Sequence, residues 1–195
     1  FTRKDEKIEN KEQFIEFQES GKIFEIWNLV FTQFNKNENG EYETLKNKNI
    51  DTGMGLERLA LITQNVDNVF DTDIFVKIID KIRKLSNVKN ISQEVNYSLK
   101  VIADHSRSIT FLVCDGVTLS NEGRGYVLRR LIRRSVRHAK LIGIESKFIN
   151  DIINVVIDEY KCAYPELEER KEYIRNIVEV EEDNFSKTLN KGMDI

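Results

Sequence analysis

An acidic residue, two glycines and an arginine fall within one short segment of this chain, Asp51-Thr52-Gly53-Met54-Gly55-Leu56-Glu57-Arg58. Glycine lacks a Cβ, so the backbone can turn sharply and approach a ligand closely. A helical pattern begins at Leu56, and the free N–H groups at the start of a helix attract anions. Arg58 offers a planar donor fork to a phosphate, and Asp51 can pair with an amino group. The segment is therefore a candidate site for a zwitterion at one end and a polyphosphate at the other.

The same G-x-G between a strand and a helix also occurs as an ordinary tight turn, and short glycine patterns recur by chance. The P-loop pattern and the dinucleotide-binding G-x-G-x-x-G are both absent from the sequence. No Ser/His/Asp or Cys/His pattern of a covalent nucleophile is present either. The only cysteines, Cys114 and Cys162, lack metal-ligand spacing, and His105 and His138 add none. We therefore expect no metal site and a reducing, cytoplasmic environment.

Strand-forming composition precedes the glycine segment. The run from Lys22 to Phe34 is β-branched, aromatic and apolar on both faces, which is typical of a strand buried on both sides. A second strand is expected over Glu41–Leu45 and a third ending at Ile50-Asp51, after which the glycines break regular structure. Residues 1–21 have no clear period and are expected to form an irregular lead-in.

Helical periodicity replaces the strand signals beyond Asn65. Besides the helix at Leu56, we expect helices from Asp71 or Thr72 to about Leu85, from Asn96 or Ser98 to before Gly116, and over Tyr126–Ile142, Ser146–Tyr160 and Glu166–Asn190. The composition shift near residues 65–72 marks the best boundary. The sequence thus predicts an α+β fold, with a mixed part at 1–68 and a mostly helical part at 69–195. No run approaches the ~20 apolar residues of a membrane span.

The helix expected over Tyr126–Ile142 separates apolar from cationic residues completely. At about 100° per residue, its packing face consists of Leu128, Leu131, Ile132, Ser135, Val136, Ala139 and Ile142. The opposite face, called the arginine strip below, consists of Arg129, Arg130, Arg133, Arg134, Arg137 and Lys140. Like charges at i,i+4 spacing repel, so the strip costs stability unless an anion lies on it.

A nucleic-acid phosphate backbone is the anion that we favour for the arginine strip. The alternatives are an inert solvated face and an acidic partner segment such as Glu166–Asp183 folding back, which carries eight acids against three bases. A membrane-surface helix is less favoured, because the apolar face lacks aromatic anchors.

Three blocks in this order resemble the alanyl-tRNA synthetases, a family of class II aminoacyl-tRNA synthetases. They are EIWNLVFTQFN at 25–35, DTGMGLER at 51–58, and SNEGRGYVLRRLIRR at 120–134. The G-x-G-x-E-R of the second block is similar to the third signature motif of class II. The resemblance runs from about Lys22 to Gly192. It implies the C-terminal part of the class II antiparallel sheet, followed by a helical domain that recognises the tRNA acceptor stem and is incomplete at its C-terminus.

The resemblance also implies roles for individual residues of the catalytic core. The residue matching Asn28 orients alanine, and the one matching Asp51 pairs with its ammonium group. Gly53 and Gly55 would let the backbone approach the adenylate, and Arg58 would hold the ATP phosphates. Residue chemistry alone suggests the roles of Asp51 and Arg58, whereas it favours a structural buried amide for Asn28.

The polar loop before the arginine strip has an implied role in tRNA recognition. The residue matching Asn121 takes part in reading a wobble G·U pair of the acceptor stem, since an amide both donates and accepts hydrogen bonds and the pair exposes a distinctive minor-groove pattern. A loop-structuring role alone is the alternative. The further tRNA contacts expected are Arg124, Arg129, Arg130, Arg133, Arg134 and Arg137.

For the full-length protein, the resemblance implies an alanine–tRNA ligase that uses ATP with Mg²⁺, alanine and tRNA(Ala), without a covalent enzyme nucleophile. The first two class II motifs are expected before Phe1. The partner of Asn121 and a zinc-dependent editing domain are expected after Ile195. This piece alone is therefore expected to be inactive and to lack a zinc site. The alternatives are a noncatalytic tRNA-binding relative and a helical module that binds an acidic protein. No residue pattern specifies an oligomeric state.

Overall fold

The computed structural model describes residues 7–86, 88 and 90–193, the last four of them by their backbone alone. The chain divides into two compact units, Phe1–Val69 and Phe70–Ile195. The first unit is α+β and the second is helical, which confirms the predicted fold class. Residues 1–6, the start of the predicted irregular lead-in, lie outside the described residues.

The first described helix, α1, covers Lys11–Glu19, so the irregular lead-in predicted here is wrong. Asn10 caps this helix: its Oδ1 accepts a hydrogen bond from the backbone N–H of Gln13 at 2.8 Å. The side chain of Gln13 returns to accept from the N–H of Glu9, also at 2.8 Å. This reciprocal pairing is close to a capping box, and its N-x-x-Q signature is visible in the sequence.

An antiparallel ribbon of two strands follows, β1 at Trp27–Lys36 and β2 at Tyr42–Met54. The second and third predicted strands form one continuous strand, and Gly53 lies inside it rather than after it. The predicted burial of β1 on both sides is also wrong, since Phe31 is 66% exposed. The reason is that no second layer covers either face of the ribbon among the described residues. Helix α2 then covers Leu56–Thr63.

The second unit consists of six helices in the described part of the chain. They are α3 at Asp73–Ser86, α4 at Gln93–Cys114, α5 at Gly123–Leu141, α6 at Ile149–Tyr160, α7 at Glu166–Glu169 and α8 at Lys171–Met193, with a 3₁₀ turn at Val69–Asp71 before them. The helices share one buried core, to which α8 contributes Ile174 and Val178. The largest of its fully buried side chains come from α3 to α7 and are Ile78, Ile82, Leu99, Ile102, Ile109, Leu128, Ile132, Ile149, Ile152, Ile153, Ile157 and Leu167. Within the described ranges, no helix combines the length and the apolar character needed to cross a bilayer.

Helix α5 packs against α4 and α8, and the packing face predicted for it is confirmed. Six of the seven predicted residues are buried and Leu131 is partly buried; the six are Leu128, Ile132, Ser135, Val136, Ala139 and Ile142. The helix starts earlier than predicted, at Gly123. Helix α4 also starts earlier, because Ser92 is its N-cap and accepts from the N–H of Val95 at 3.3 Å. The long helix predicted from Glu166 is interrupted at Arg170.

Helix α6 begins at Ile149, three residues later than predicted, and the side chain that caps it comes from α8. Glu182 Oε1 accepts hydrogen bonds from the N–H groups of Phe148 and Ile149, at 3.0 and 3.4 Å. The N–H groups at the start of a helix otherwise lack partners, and a carboxylate there also interacts favourably with the helix dipole. Glu182 is only 2% exposed, so the cap is part of the core of the second unit.

Replacing Glu182 with Gln should change how stability depends on pH. Burial raises the pKa of the Glu182 carboxyl above its usual 4.5, while the N–H groups of Phe148 and Ile149 and the charge of Lys147 act in the opposite direction. The stability gained from a raised pKa is fully present below about 4.5 and is lost as pH rises through the folded-state pKa. Gln keeps an acceptor oxygen and stays neutral, so Glu182→Gln should become more stable relative to wild type as pH rises from about 4.5 to 7.

Urea unfolding followed by helical circular dichroism across this pH range measures the effect. Glu179→Gln is the matched control, because Glu179 lies on the same helix, is 45% exposed and pairs with Lys147 at 2.9 Å. A Glu182→Gln difference that stays constant with pH would contradict the prediction.

Candidate functional site

The ribbon brings Asn28 next to Asp51 and Gly53, which are distant from it in sequence. Asn28 lies directly opposite Gly53, and Val30 lies opposite Asp51. Residues directly opposite one another in an antiparallel pair project to the same face, as do residues two apart in one strand. Asn28, Asp51 and Gly53 therefore share one face of the ribbon. Diagonal neighbours such as Asn28 and Asp51 are separated by about 7–8 Å, a distance that suits a small amino acid.

The side chain of Asn28 is exposed, which removes the structural interpretation of a buried amide. Its Nδ2 donates to Glu25 Oε1 at 3.5 Å, the long limit of a hydrogen bond. On the other face of the ribbon, Trp27 Nε1 donates to Thr52 Oγ1 across the strands. This cross-strand bond fixes the register beside the Asn28 face.

Neither glycine of the segment requires a left-handed backbone. Gly53 and Gly55 are absent from the positive-φ glycines of the described chain, and Gly55 has φ −76° and ψ 114° as the N-cap of α2. A Cβ added at Gly53 would meet nothing within 4 Å. Gly53 lies inside β2 rather than at a turn, so open space above it is the remaining reason for a glycine there. At Gly55 the strand gives way directly to α2.

Arg58 lies in the first turn of α2 and is held by the backbone of the segment before β1, since its Nη1 donates to the carbonyl oxygen of Glu25. An open cleft of ≈ 670 Å³ lies beside it, lined by Phe14, Gln18, Ile23, Phe24, Glu25 and Arg58. Sequence reasoning missed Phe14 and Gln18, because it assigned no helix to residues 11–19. Gly55 provides no side-chain cap, so the first N–H groups of α2 have no competing side-chain oxygen from that residue.

The arginine strip on α5 is partly neutralised from within the second unit. Arg133 Nε donates to Glu181 Oε1 at 2.6 Å, and Arg129 Nε lies 3.3 Å from Glu181 Oε2. The Glu181 side chain is only 3% exposed. The acidic segment Glu166–Asp183 thus folds back onto two arginines, as one of the alternatives expected. The Arg133 side chain is 44% exposed, so solvent screens this pair more than it would screen a fully buried one.

The remaining strip arginines face solvent. Arg134 Nη2 donates to the hydroxyl of Tyr97 at 2.9 Å, and the Arg130 guanidinium lies 5.8 Å from the centre of the Tyr126 ring. Arg130, Arg133, Arg134 and Arg137 line one depression of ≈ 440 Å³ together with His105, Val127, Leu131 and Phe185. Several guanidinium groups at one concave surface can bind an anion.

Gly125 of α5 lets the loop before the helix pack closely against it, because glycine has no side chain at this contact. A Cβ on Gly125 would lie 2.2 Å from the carbonyl oxygen of Thr118 and 2.5 Å from Ser120 Oγ. Ser120 Oγ in turn donates to the carbonyl oxygen of Glu122 at 2.5 Å. Asn121 stands exposed between these contacts, and its Oδ1 accepts from Arg129 Nη1. Arg124 is exposed in the first turn of α5.

Residues 1–195 match the family of class II (A) tRNA synthetases. The chain belongs to this family. The match covers both units, so the ribbon with Asn28, Asp51 and Gly53 and the helical unit with the arginine strip are parts of one class II synthetase sequence. Among the described residues of this class II chain, no three His, Cys, Asp or Glu side chains form a metal-binding group.

Three relatives of this class II chain are similar to it over most of its length. "Alanine--tRNA ligase" of Natranaerobius thermophilus is 55% identical over 175 residues, 89% of this chain. "Alanine--tRNA ligase 1" of Lachnoclostridium phytofermentans is 51% identical over 178 residues, 91% of this chain. "Alanine--tRNA ligase" of Acetivibrio thermocellus is 52% identical over 173 residues, 88% of this chain. The chain spans 20% of the length of each of these relatives.

Gly125→Ala should destabilise the second unit of this class II chain. The new Cβ would overlap the Thr118 carbonyl oxygen, and forced overpacking costs about 1–3 kcal/mol. Gly53→Ala is the matched control, because its Cβ would meet nothing within 4 Å. Urea unfolding followed by helical circular dichroism should show a lower midpoint for Gly125→Ala only. Equal midpoints for the two variants would contradict the close packing of the Thr118–Glu122 loop on α5.

Proposed function

We propose that the full-length protein is an alanine–tRNA ligase, to which this chain contributes part of the alanine and ATP site and a tRNA-binding helical region. The observation that carries the proposal is the common face of Asn28, Asp51 and Gly53 on the ribbon. It provides a carboxylate, an amide and an uncovered backbone within the reach of one small amino acid. The names of the three relatives, all alanine–tRNA ligases, support alanine as that amino acid.

In the first step, the carboxylate oxygen of alanine attacks the α-phosphorus of ATP, and pyrophosphate leaves with the electrons of the broken P–O bond. Asp51 pairs with the ammonium group of alanine, and Asn28 orients the amino acid. The open space above Gly53 admits the substrate close to the backbone. Such a displacement depends on positioning and charge neutralisation, so no enzyme nucleophile is required.

ATP enters this reaction as its Mg²⁺ complex, which is the substrate. Arg58 binds its phosphates through the guanidinium, which the carbonyl oxygen of Glu25 holds at the edge of the cleft. The uncapped first turn of α2 provides additional N–H groups with partial positive charge. In the second step, a hydroxyl of the terminal ribose of tRNA attacks the alanyl carbonyl carbon, and AMP leaves.

Asp51→Asn in the full-length enzyme should raise the KM for alanine in ATP–pyrophosphate exchange by about 10- to 100-fold, because the ammonium group loses its charged partner. The change is nearly isosteric, so the ribbon should be unaffected. Glu38→Gln, which removes the same charge at the exposed turn of the ribbon, should leave the KM unchanged.

A folded full-length protein that catalyses no alanine-dependent exchange at all would contradict the ligase proposal. It would then be a noncatalytic tRNA-binding relative.

The helical unit is proposed to bind the acceptor stem of tRNA(Ala). Arg130, Arg134 and Arg137 are exposed and line the same depression, which suits contact with phosphate oxygens. Arg124 lies at the start of the same helix. Arg129 and Arg133 also pair with Glu181, so their contribution to phosphate binding is smaller than that of Arg130, Arg134 and Arg137. The exposed amide of Asn121 is available for a base edge of the stem.

Arg130→Glu combined with Arg134→Glu should weaken tRNA binding and reduce its salt dependence, because each phosphate contact contributes about −0.7 to −0.9 to the slope of log K against log salt. Binding titrations at several salt concentrations measure both effects. Arg83→Glu with Lys84→Glu is the matched control, since it makes the same change of charge on exposed residues of α3. Equal losses in the two double variants would exclude a specific role for the arginine strip.

We also propose a cytoplasmic location, where tRNA charging and a reducing environment coincide. Cys114 and Cys162 are both free thiols, the first buried and the second exposed, which suits such an environment.

A further inference from the structure

The exposed amide of Asn121 is connected to a buried carboxylate through one guanidinium group. Arg129 Nη1 donates to Asn121 Oδ1, and Nε of the same guanidinium lies 3.3 Å from Glu181 Oε2. The side chain of Glu181 is 3% exposed, and that of Arg129 is 27% exposed. The Glu181–Arg129–Asn121 chain of contacts thus runs from the interior of the second unit to its surface.

The chemistry of arginine fixes which way the amide faces. A guanidinium carries only hydrogen-bond donors, so only the oxygen of an Asn side chain can accept from it. An unattached Asn side chain exchanges its oxygen and nitrogen readily by rotation about its last torsion. Bound to Arg129, Asn121 keeps Oδ1 toward the protein and turns its NH₂ group outward, as a donor of two hydrogen bonds.

Glu181 in turn restricts the position of the Arg129 guanidinium. Its carboxylate forms an ion pair with Arg129 and accepts a hydrogen bond from Arg133 Nε at 2.6 Å, and the Arg133 guanidinium lies 5.3 Å from the centre of the Phe185 ring. A carboxylate paired with two arginines and excluded from water has little freedom to move. Its position therefore limits where Arg129, and with it the Asn121 amide, can lie.

We infer that Arg129 and Glu181 are positioning residues for base recognition by Asn121: they hold its amide so that the NH₂ group donates to an acceptor atom on a base edge of the tRNA acceptor stem. This inference rests on the proposed function. It assigns Arg129 a role different from that of Arg130 and Arg134, which contact phosphates and are indifferent to the base sequence.

The test uses the full-length enzyme and two tRNA(Ala) transcripts, one with the G·U wobble pair in the acceptor stem and one with G·C at that place. The readout is the ratio of their kcat/KM values for aminoacylation. Arg129→Met removes the donors and retains an unbranched side chain. It should lower the ratio about tenfold, the effect of one lost hydrogen bond of this kind. Arg129→Lys and Glu181→Gln should lower it in the same direction.

Asn121→Ala should lower the ratio at least as much, and Arg129→Met added to Asn121→Ala should lower it no further, because Arg129 acts through the amide. Asn121→Asp keeps an acceptor for Arg129 but lacks the NH₂ group, so its ratio should match that of Asn121→Ala. The control Glu179→Gln removes a charge from the same helix outside the Glu181–Arg129–Asn121 chain of contacts, and its ratio should equal that of wild type.

Three results would overturn the inference, and they are distinguishable. If Arg129→Met slows both transcripts equally, Arg129 contributes only to stability or to phosphate binding. If it lowers the ratio by the same factor with and without Asn121, it recognises the stem independently. If Asn121→Ala leaves the ratio unchanged, base recognition by Asn121 fails and the inference with it. Failure of the proposed function itself appears separately, as wild-type enzyme that charges neither transcript.

Discussion

The pairing of Glu181 with Arg129 and Arg133 organises the surface of the helical unit. Without it, α5 would present stacked arginines whose mutual repulsion opposes folding. The carboxylate removes part of that repulsion and attaches α8 to α5 in one fixed arrangement. The strip is thereby divided into two groups. Arg129 and Arg133 pair with the buried Glu181 carboxylate, whereas Arg130, Arg134 and Arg137 face solvent and can bind a ligand. The arginine strip therefore destabilises the fold less than the number of its positive charges suggests.

Much of this organisation could be predicted from the sequence, because it follows from local periodicity and composition. The two faces of α5, the α+β fold class and the position of the change from strands to helices all depend on neighbours within a few residues. The helix at Lys11–Glu19 was also predictable in principle, since Asn10 and Gln13 carry a capping signature. Sequence reasoning overlooked it because the helix buries little, with Phe17 its one buried residue.

What the sequence could not predict are contacts between residues distant in the chain. Nothing in the local pattern distinguishes Arg133, which pairs with Glu181, from Arg130, which faces solvent. The ribbon shows the same limit. Its apolar strand suggests burial, yet Phe31 and Ile50 are 66% and 62% exposed, because burial depends on a second layer and not on the strand itself. The strand register, which pairs Asn28 with Gly53, is what places Asn28, Asp51 and Gly53 on one face.

The cap of α6 implies an order of events during protein synthesis. Glu182 follows Phe148 by 34 residues, so at about 5–20 residues per second the ribosome adds the cap roughly 2–7 seconds after the start of the helix. Until then the first N–H groups of α6 have only water as a partner. The nascent helix therefore frays at this end and becomes complete only when α8 docks. Translation from the N-terminus thus leaves the completion of α6 to the later synthesis of α8.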